Sequence, residues 1–177
     1  MLKDQIVGII GGGQLGSMLC QAANKLNIKT VVISDDKNGP AQKFCDEYIF
    51  SDYTNSKNLK KFIDLVDVVT FEFENISYET LSTINKNKDV FPNPTVNKII
   101  QNRKTEKTFI NDLGLKTTPW AFVQSKKDIK NHQKLIPGIL KTTILGYDGH
   151  GQHVINNLDD VKDEWYVSVD YILEKLV

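Results

Sequence analysis

The sequence predicts an α/β fold, in which a Rossmann-like parallel-sheet domain is followed by an incomplete second α/β domain. Three observations support this prediction. Short apolar runs alternate with segments of helical period over the first half of the chain, as in parallel sheets covered by helices. A glycine-rich turn links the first strand to the first helix. A proline-containing segment at residues 90–95 then breaks the alternation, and a different strand pattern follows.

The first elements are a predicted strand, helix and strand. Residues 6–10 are a continuous apolar run, which is typical of a central parallel strand covered on both faces. After the glycines, apolar residues return with the helical period, and residues 30–33 form the next apolar run. The pattern repeats with predicted strands at residues 48–50 and 68–71. We therefore expect an open, mostly parallel sheet.

The chain changes character after this sheet. Pro92 and Pro94 disfavour a helix before them, and Thr95 is a suitable N-cap for the helical residues that follow. We place a first domain at residues 1–94 and a helical connector at residues 95–117.

Residues 118–177 are the predicted second domain. A short polar helix is expected near residues 128–135, and strands are expected at residues 120–123, 138–141, 153–155 and 171–176. Because the last predicted strand runs to the end of the sequence, we expect a larger domain that has been cut short.

Charge and composition narrow the class of protein. The 22 Lys and Arg residues balance the 22 Asp and Glu residues, which argues against broad nucleic-acid or membrane-surface binding. No signal-peptide pattern opens the chain, and no apolar run approaches the ~20 residues that span a bilayer. Cys20 and Cys45 have neither disulfide nor metal spacing and are expected to be buried thiols. The sequence predicts a cytoplasmic globular protein.

The glycine-rich turn is compatible with a dinucleotide site. Gly11, Gly13 and Gly16 have the fingerprint spacing, and Asp35 ends the next strand, where such folds hold a ribose. An NAD-binding Rossmann protein is therefore one hypothesis. Glycines at such a turn also allow close packing of helix on strand, and the proline segment interrupts the second half that a dinucleotide fold requires.

Two carboxylates follow the predicted strand at residues 68–71. If the chain stays extended, Glu72 and Glu74 point to the same side, at the sheet edge where parallel α/β proteins bind ligands. The alternative is that both acids belong to a solvated loop.

The second domain carries an apolar strand that ends in Lys141 before a glycine-rich loop. Loop N–H groups and one ammonium can surround a phosphate together, which makes ATP the expected ligand. Arg103 lies in a charged helical stretch, for which a solvated face is the ordinary interpretation. His150 and His153 have no third ligand at suitable spacing, so no metal site is predicted.

Five motifs together resemble one family, the 5-(carboxyamino)imidazole ribonucleotide synthases, which are ATP-grasp ligases of purine biosynthesis. The motifs are GGGQLG at residues 11–16, TFEFEN at 70–75, NRKTEK at 102–107, TPW at 118–120 and GYDGHGQ at 146–152. The resemblance implies that a pre-ATP-grasp domain precedes the first, incomplete part of an ATP-grasp domain. A ligase or formyltransferase acting on glycinamide ribonucleotide is similar at the first two motifs, but usually lacks the last one.

The resemblance implies an ATP-dependent carboxylation. Bicarbonate attacks the γ-phosphate, the carboxyphosphate formed releases carbon dioxide, and the amine of 5-aminoimidazole ribonucleotide captures it. The products are 5-carboxyaminoimidazole ribonucleotide, ADP and phosphate. Such phosphoryl transfer depends on positive charge and fixed donors at the phosphates.

The resemblance also implies roles for particular residues. The implied catalytic residues are Lys141, Tyr147, Asp148 and His150. The implied ATP-binding residues are Arg103, Lys141, Gly146, Tyr147, Asp148, Gly149, His150, Gly151, Gln152 and an adenine hinge of Glu174, Lys175, Leu176 and Val177. The implied ribonucleotide-binding residues are Gln14, Leu15 and Glu72.

Two residues and the length depart from the family pattern. Leu145 stands where a second glycine is common, and His150 stands where arginine or lysine is common. Because histidine is only partly charged near neutral pH, anion binding there is expected to be weaker or pH-dependent. Family members continue for about as many residues again, and their magnesium ligands lie there. The resemblance also implies Mg²⁺ as a cofactor and a homodimer. Because this chain lacks those residues, a nucleotide-binding fragment without catalysis is the alternative function.

Overall fold

The computed structural model describes residues 5–146, 150–166 and 169–177, and divides into two compact units, Met1–Lys98 (unit 1) and Ile99–Val177 (unit 2). The strands are β1 Ile6–Ile10, β2 Lys29–Ser34, β3 Glu47–Phe50, β4 Val68–Phe71, β5 Asp89–Phe91, β6 Trp120–Val123, β7 Gly138–Thr142, β8 Gln152–Ile155 and β9 Tyr171–Lys175. The α-helices are α1 Gln14–Lys25, α2 Ser56–Leu65, α3 Tyr78–Asn85, α4 Pro94–Ile100, α5 Arg103–Asp112 and α6 Lys126–Asn131. The domain limits at residues 94 and 117 stay a prediction.

Unit 1 contains a five-stranded parallel sheet in the order β3-β2-β1-β4-β5, which confirms the predicted fold class. Successive residues of the central strand face opposite sides of the sheet. Ile9 packs with Cys20 and Ala41 on one side, and Ile10 belongs to a second core around the fully buried Phe62. Because β1, β2 and β4 are parallel, the segments that follow them meet at one edge of the sheet.

Helix α1 buries a face of small residues. Gly16, Ser17 and Cys20 are its buried positions, whereas Leu15 and Met18 are each 56% exposed. Small residues let the helix approach the sheet closely. The predicted helix is confirmed, but the larger apolar side chains that define its helical period are exposed.

The first residues of the proline segment, Val90 and Phe91, belong to a strand of the sheet. The predicted break in the strand pattern at residues 90–95 is therefore wrong for these two residues. Strand β5 pairs in parallel with β4, and Val90 lies opposite Val69 in the unit 1 core. Thr95 is not the cap of the next helix, since α4 begins at Pro94. The side chain of Asn93 instead accepts hydrogen bonds from the N–H and hydroxyl of Thr95, at 3.0 and 2.8 Å.

Unit 2 contains a four-stranded antiparallel sheet in the order β6-β9-β7-β8. Strand β8 begins at Gln152, so this residue lies in the sheet and not in the preceding loop as predicted. One face of the sheet packs into a core with Ile129 of α6 and Leu140 of β7. On β8, the His153 ring stacks on Trp165 with ring centroids 3.9 Å apart and planes 8° from parallel.

The other face of this sheet is only partly covered. Lys141, Ile139 and Glu174 share it, because Ile139 lies directly opposite Glu174 and two positions from Lys141. Helix α5 lies over part of the face, where the Lys104 ammonium sits 3.8 Å from the centre of the Phe122 ring. Val154 on β8 remains 57% exposed. We call this surface the open face.

Candidate functional site

Glu72 occupies the glycine-rich turn of unit 1. The Gly13 N–H donates a hydrogen bond to Glu72 Oε1 at 3.2 Å, and a Cβ on Gly11 would lie 2.6 Å from the same oxygen. Gly11 also has a φ of 108°, which side-chain-bearing residues rarely adopt. A Cβ on Gly16 would lie 2.4 Å from the carbonyl oxygen of Gly11. The glycines are therefore required for close packing of the carboxylate and the helix.

A hollow of about 190 Å³ opens beside the turn. Its lining includes the carboxylates of Asp35, Asp36 and Glu72, and the Tyr53 hydroxyl donates to Asp35 Oδ1 at 3.1 Å. Burial raises the pKa of Glu72, and the charge of Glu74 acts in the same direction against the Gly13 hydrogen bond. An acidic hollow of this kind suits hydroxyl and amine donors.

The remaining residues predicted on this side surround the same turn. Gln14 and Leu15 open α1 directly after Gly13, and both are exposed. Strand β4 ends at Phe71 and the chain turns at Glu74, so the extended geometry expected for Glu72 and Glu74 does not hold.

Two features of the turn oppose the binding of a dinucleotide phosphate there. The fingerprint needs turn amides that are available to a pyrophosphate, but the Gly13 amide is bonded to a carboxylate. Asp36 adds negative charge at the same place, which repels phosphate, whereas Asp35 keeps the position at which dinucleotide folds hold a ribose.

In unit 2, one buried carboxylate joins two lysines on the open face. Lys141 Nζ lies 2.5 Å from Glu174 Oε2, and Lys107 Nζ lies 2.6 Å from Glu174 Oε1. The Glu174 side chain is 10% exposed. Burial alone would raise the pKa of Glu174, but the two lysines outweigh burial and hold that pKa below its ordinary value. The carboxylate is therefore ionised at neutral pH.

Lys107 is a residue that the sequence-based assignment lacks. It follows Arg103 by four positions, and residues at that spacing lie on the same side of a helix. This spacing is the signal that could have identified Lys107. Its contact with Glu174 could not be seen, because β9 lies far along the chain from α5.

Arg103 fixes the loop that follows β7. Its backbone N–H donates to the Thr143 carbonyl at 2.8 Å, and its guanidinium donates to the carbonyl of Thr142 at 2.8 Å and to that of Gly146. A Cβ on Gly146 would lie 2.8 Å from a guanidinium nitrogen. The arginine thus holds both sides of residues 143–145, with two of its five donors bonded to these carbonyls.

The glycine-rich loop is described at its two ends. The Gly151 carbonyl accepts from the Thr142 N–H at 2.9 Å, and Gln152 lies opposite Lys141 in the sheet. His150 is exposed. The predicted residues Tyr147, Asp148 and Gly149 lie outside the described residues.

Leu145 has a left-handed backbone conformation, with a φ of 57°. Glycine adopts this conformation without steric cost, whereas a leucine does not. The conformation gives a physical reason for the glycine that is common at this position in the resembling family.

The predicted adenine hinge lies at the end of β9. The N–H groups of Lys175 and Leu176 donate to the carbonyls of Pro119 and Pro137, at 2.9 and 3.0 Å. The Glu174 side chain is likewise paired with Lys107 and Lys141. An adenine bound here would therefore contact backbone groups of residues 174–177 other than the Lys175 and Leu176 N–H groups.

The described residues contain neither a metal-ligand cluster nor a helix that could span a membrane. Within residues 5–146, 150–166 and 169–177, no three His, Cys, Asp or Glu side chains form a group that could hold a metal ion. The helices of that part of the chain are all too short or too polar to cross a bilayer.

The sequence matches two adjacent domain families. Residues 4–101 match the Ribonucleotide synthetase preATP-grasp domain, and residues 108–177 match the ATP-grasp domain. The chain therefore belongs to the family of ATP-grasp proteins that carry a ribonucleotide synthetase pre-ATP-grasp domain.

Two similar curated proteins share one name. N5-carboxyaminoimidazole ribonucleotide synthase from Pseudomonas aeruginosa is 38% identical over 97% of this chain and 48% of its own length. The Bacillus subtilis enzyme of that name is 35% identical over 85% of this chain and 40% of its own length. The chain thus spans about half the length of these relatives or less.

A solved structure agrees with these sequence matches. The N5-carboxyaminoimidazole synthetase of Staphylococcus aureus, complexed with ADP, superposes with a TM-score of 0.93 at 32% identity. The superposition covers 100% of this chain and 48% of the other.

Proposed function

We propose that this chain supplies the ATP-binding open face and the ribonucleotide-binding turn for carboxylation of 5-aminoimidazole ribonucleotide. The reaction consumes ATP and bicarbonate and forms 5-carboxyaminoimidazole ribonucleotide, ADP and phosphate in the cytoplasm. The names of the relatives and the ADP in a similar structure support this proposal. The observation that carries it is the cationic open face, where Lys141 stands next to the end of a strand, beside a glycine-rich loop that Arg103 holds.

The open face suits ATP in charge and shape. Ile139 and the exposed Val154 give an apolar surface for the adenine, and Lys141 supplies positive charge at one end of that surface. A bicarbonate oxygen attacks the γ-phosphorus and ADP leaves with the electrons of the broken bond. Lys141 and the loop N–H groups stabilise charge on the transferred phosphoryl group in this step.

Carbon dioxide and phosphate form when carboxyphosphate breaks down. The substrate amine then attacks the carbon and loses a proton. We assign Tyr147, Asp148 and His150 to this stage, next to bicarbonate and the imidazole, on the basis of their loop motif. Retention of carbon dioxide requires that water be kept out of the site.

The acidic hollow of unit 1 is assigned to the ribonucleotide. Its carboxylates accept hydrogen bonds from ribose hydroxyls or the amine, and Glu72 is the central acceptor. Gln14 and Leu15 lie beside it at the start of α1 and complete the contact surface. A phosphate would be repelled by this hollow, so we assign the ribonucleotide phosphate to groups outside it.

Magnesium and a second copy of the protein complete the proposal. Mg²⁺ would neutralise charge on the ATP phosphates during transfer. From the family resemblance, we propose that its protein ligands lie in the part of the relatives that this chain does not span. A homodimer is proposed from the family resemblance.

Calorimetric titration of the 177-residue chain tests the proposal. We expect binding of MgATP that Lys141→Ala abolishes, and binding of aminoimidazole ribonucleotide that Glu72→Ala abolishes. Each variant should retain the other ligand and thereby serve as its folding control. Failure to bind either ligand, or binding of NAD with both variants unaffected, would contradict the proposal.

A carboxylation assay separates catalysis from binding. Transfer of labelled carbon from bicarbonate to the ribonucleotide, with matching release of phosphate, is expected for a protein that contains the whole ATP-grasp domain. Because the chain spans about half of its relatives, binding without turnover by this chain favours a nucleotide-binding fragment, the second candidate function.

A further inference from the structure

The cluster of Lys107, Glu174 and Lys141 poses an electrostatic problem for phosphate binding. A lysine paired alone with a carboxylate has no net charge, and such a pair attracts phosphate poorly. In this cluster two ammonium groups share one carboxylate, so the three side chains carry a net charge of +1. The second lysine therefore decides whether the site remains positive.

Burial makes this sharing important. The exposed fractions of the Lys107, Lys141 and Glu174 side chains are 14%, 23% and 10%, so water screens their charges only weakly. Both ammonium groups contact different oxygens of the carboxylate at 2.5 to 2.6 Å. Glu174 is thus held from two sides and cannot turn fully towards Lys141.

We propose that Lys107 is a positioning residue for ATP binding, which acts by offsetting the charge of Glu174 so that the Lys141 ammonium remains available to phosphate. This inference rests on the proposed ATP site and adds a residue to it. Lys107 itself need not touch the nucleotide. It keeps Glu174 from neutralising Lys141, and Glu174 in turn fixes where the Lys141 ammonium stands.

The proposal predicts that one variant rescues another. Lys107→Met leaves a neutral Glu174–Lys141 pair, and we expect MgATP affinity to fall by about tenfold. Adding Glu174→Gln removes the carboxylate that neutralises Lys141. The double variant should therefore recover most of the lost affinity, although it has lost a further charged group. A phosphate-contacting Lys107 would give no such recovery.

Titration calorimetry with MgATP and with adenosine makes the test specific. Adenosine has no phosphate, so its affinity should change less than about twofold in every variant if only charge is altered. Lys104→Met is the matched control, because Lys104 lies on the same helix over the Phe122 ring and should leave ATP affinity unchanged. Lys107→Arg preserves the pairing and should bind ATP as the parent chain does.

The possible outcomes are distinguishable. Rescue in the double variant, with adenosine affinity unchanged, supports the proposal. Unchanged ATP affinity in Lys107→Met, or an equal loss in the single and double variants, overturns it while the proposed ATP site stands. Equal loss of adenosine and ATP, or loss of the thermal transition in Lys107→Arg, shows a purely structural role and also overturns it. Absence of ATP binding by the parent chain overturns both proposals.

Discussion

The two candidate sites differ in charge, and only the site of unit 2 has the charge that its glycine motif suggests. The glycine-rich turn of unit 1 has the spacing of a phosphate site, yet its hollow is lined by Asp35, Asp36 and Glu72. The open face of unit 2 gathers Lys141 and Lys107 from a strand and a helix that are separate in the sequence. The glycine spacing thus indicates where the backbone packs closely against neighbouring groups. The side chains around the turn determine which ligand can bind.

The same amino acid is also used in two ways. Glu72 accepts a backbone N–H, and burial raises its pKa, whereas the two lysines keep the pKa of Glu174 low. In unit 1 the half-buried carboxylate of Glu72 lies among other acids, and in unit 2 the buried carboxylate of Glu174 lies among cations. Three predictions test this contrast, beginning with the largest effect.

The first prediction concerns the glycines of the acidic turn. Gly16→Ala places a Cβ 2.4 Å from the Gly11 carbonyl oxygen, so the backbone must move. We expect a loss of about 3 kcal/mol in the free energy of unfolding of unit 1, measured by urea denaturation. Gly114→Ala is the control, since nothing lies within 4 Å of its Cβ and only its φ of 77° opposes the change. Gly114 lies in unit 2, and its variant should lose about 1 kcal/mol in the free energy of unfolding of that unit. Equal losses in the two variants would contradict a packing role for Gly16.

The second prediction compares the two glutamates by pH. Because the folded pKa of Glu174 is depressed, its stabilising contribution is present above the unfolded pKa of about 4.3 and is lost as pH falls through the lower folded value. Glu174→Gln should therefore destabilise unit 2 by about 2 kcal/mol at pH 7, and by less in acid.

Glu72→Gln should show the opposite pH dependence. The folded pKa of Glu72 is raised, so its ionisation costs stability as pH rises from about 4.3 through the folded value. The amide oxygen of the substituted side chain can still accept from Gly13, and unit 1 should be equally or more stable than in the parent chain at pH 7. Urea unfolding between pH 3 and 7 measures both variants, and parallel pH profiles would refute the contrast.

The third prediction has the smallest effect and concerns the loop of unit 2. Leu145→Gly removes the steric cost of a φ of 57°, but it also increases the entropy of the unfolded chain. We expect a change in unfolding free energy within about 0.5 kcal/mol of zero. Ile144→Gly is the neighbouring control. It should lose about 1 kcal/mol in unfolding free energy, because glycine increases the entropy of the unfolded chain and relieves no backbone strain at this position. A larger loss for Leu145→Gly than for Ile144→Gly would show that the leucine side chain supports the loop.

The sequence predicts the strands well where they are buried. β1 and β4 have the predicted bounds, because continuous apolar runs inside a parallel sheet leave little alternative. β5 escaped prediction because it has three residues and is followed at once by Pro92. The helical period of α1 is clear in the sequence, but which side is buried depends on how closely Gly16 lets the helix approach β1.

The candidate sites are harder to predict for a related physical reason. Lys141 and Glu72 stand next to recognisable strand ends, so local patterns identify them. The pairing of Lys107 with Glu174 depends on the position of α5 over β9, which no local pattern specifies. The constraint on Leu145 is a backbone angle, and its side chain gives no sign of it.

The stacking of His153 on Trp165 has a spectroscopic consequence. The imidazole lies flat against the indole at 3.9 Å, and a protonated imidazole at that distance quenches indole emission, whereas a neutral one does so weakly. Burial is the main reason that the pKa of His153 lies below its ordinary value, with the charge of Lys162 acting in the same direction. The ring is therefore expected to be neutral at physiological pH, and we expect acidification to dim the fluorescence of Trp165. Fluorescence of a Trp120→Phe variant, in which Trp165 is the only tryptophan of the sequence, would report this titration without an added dye.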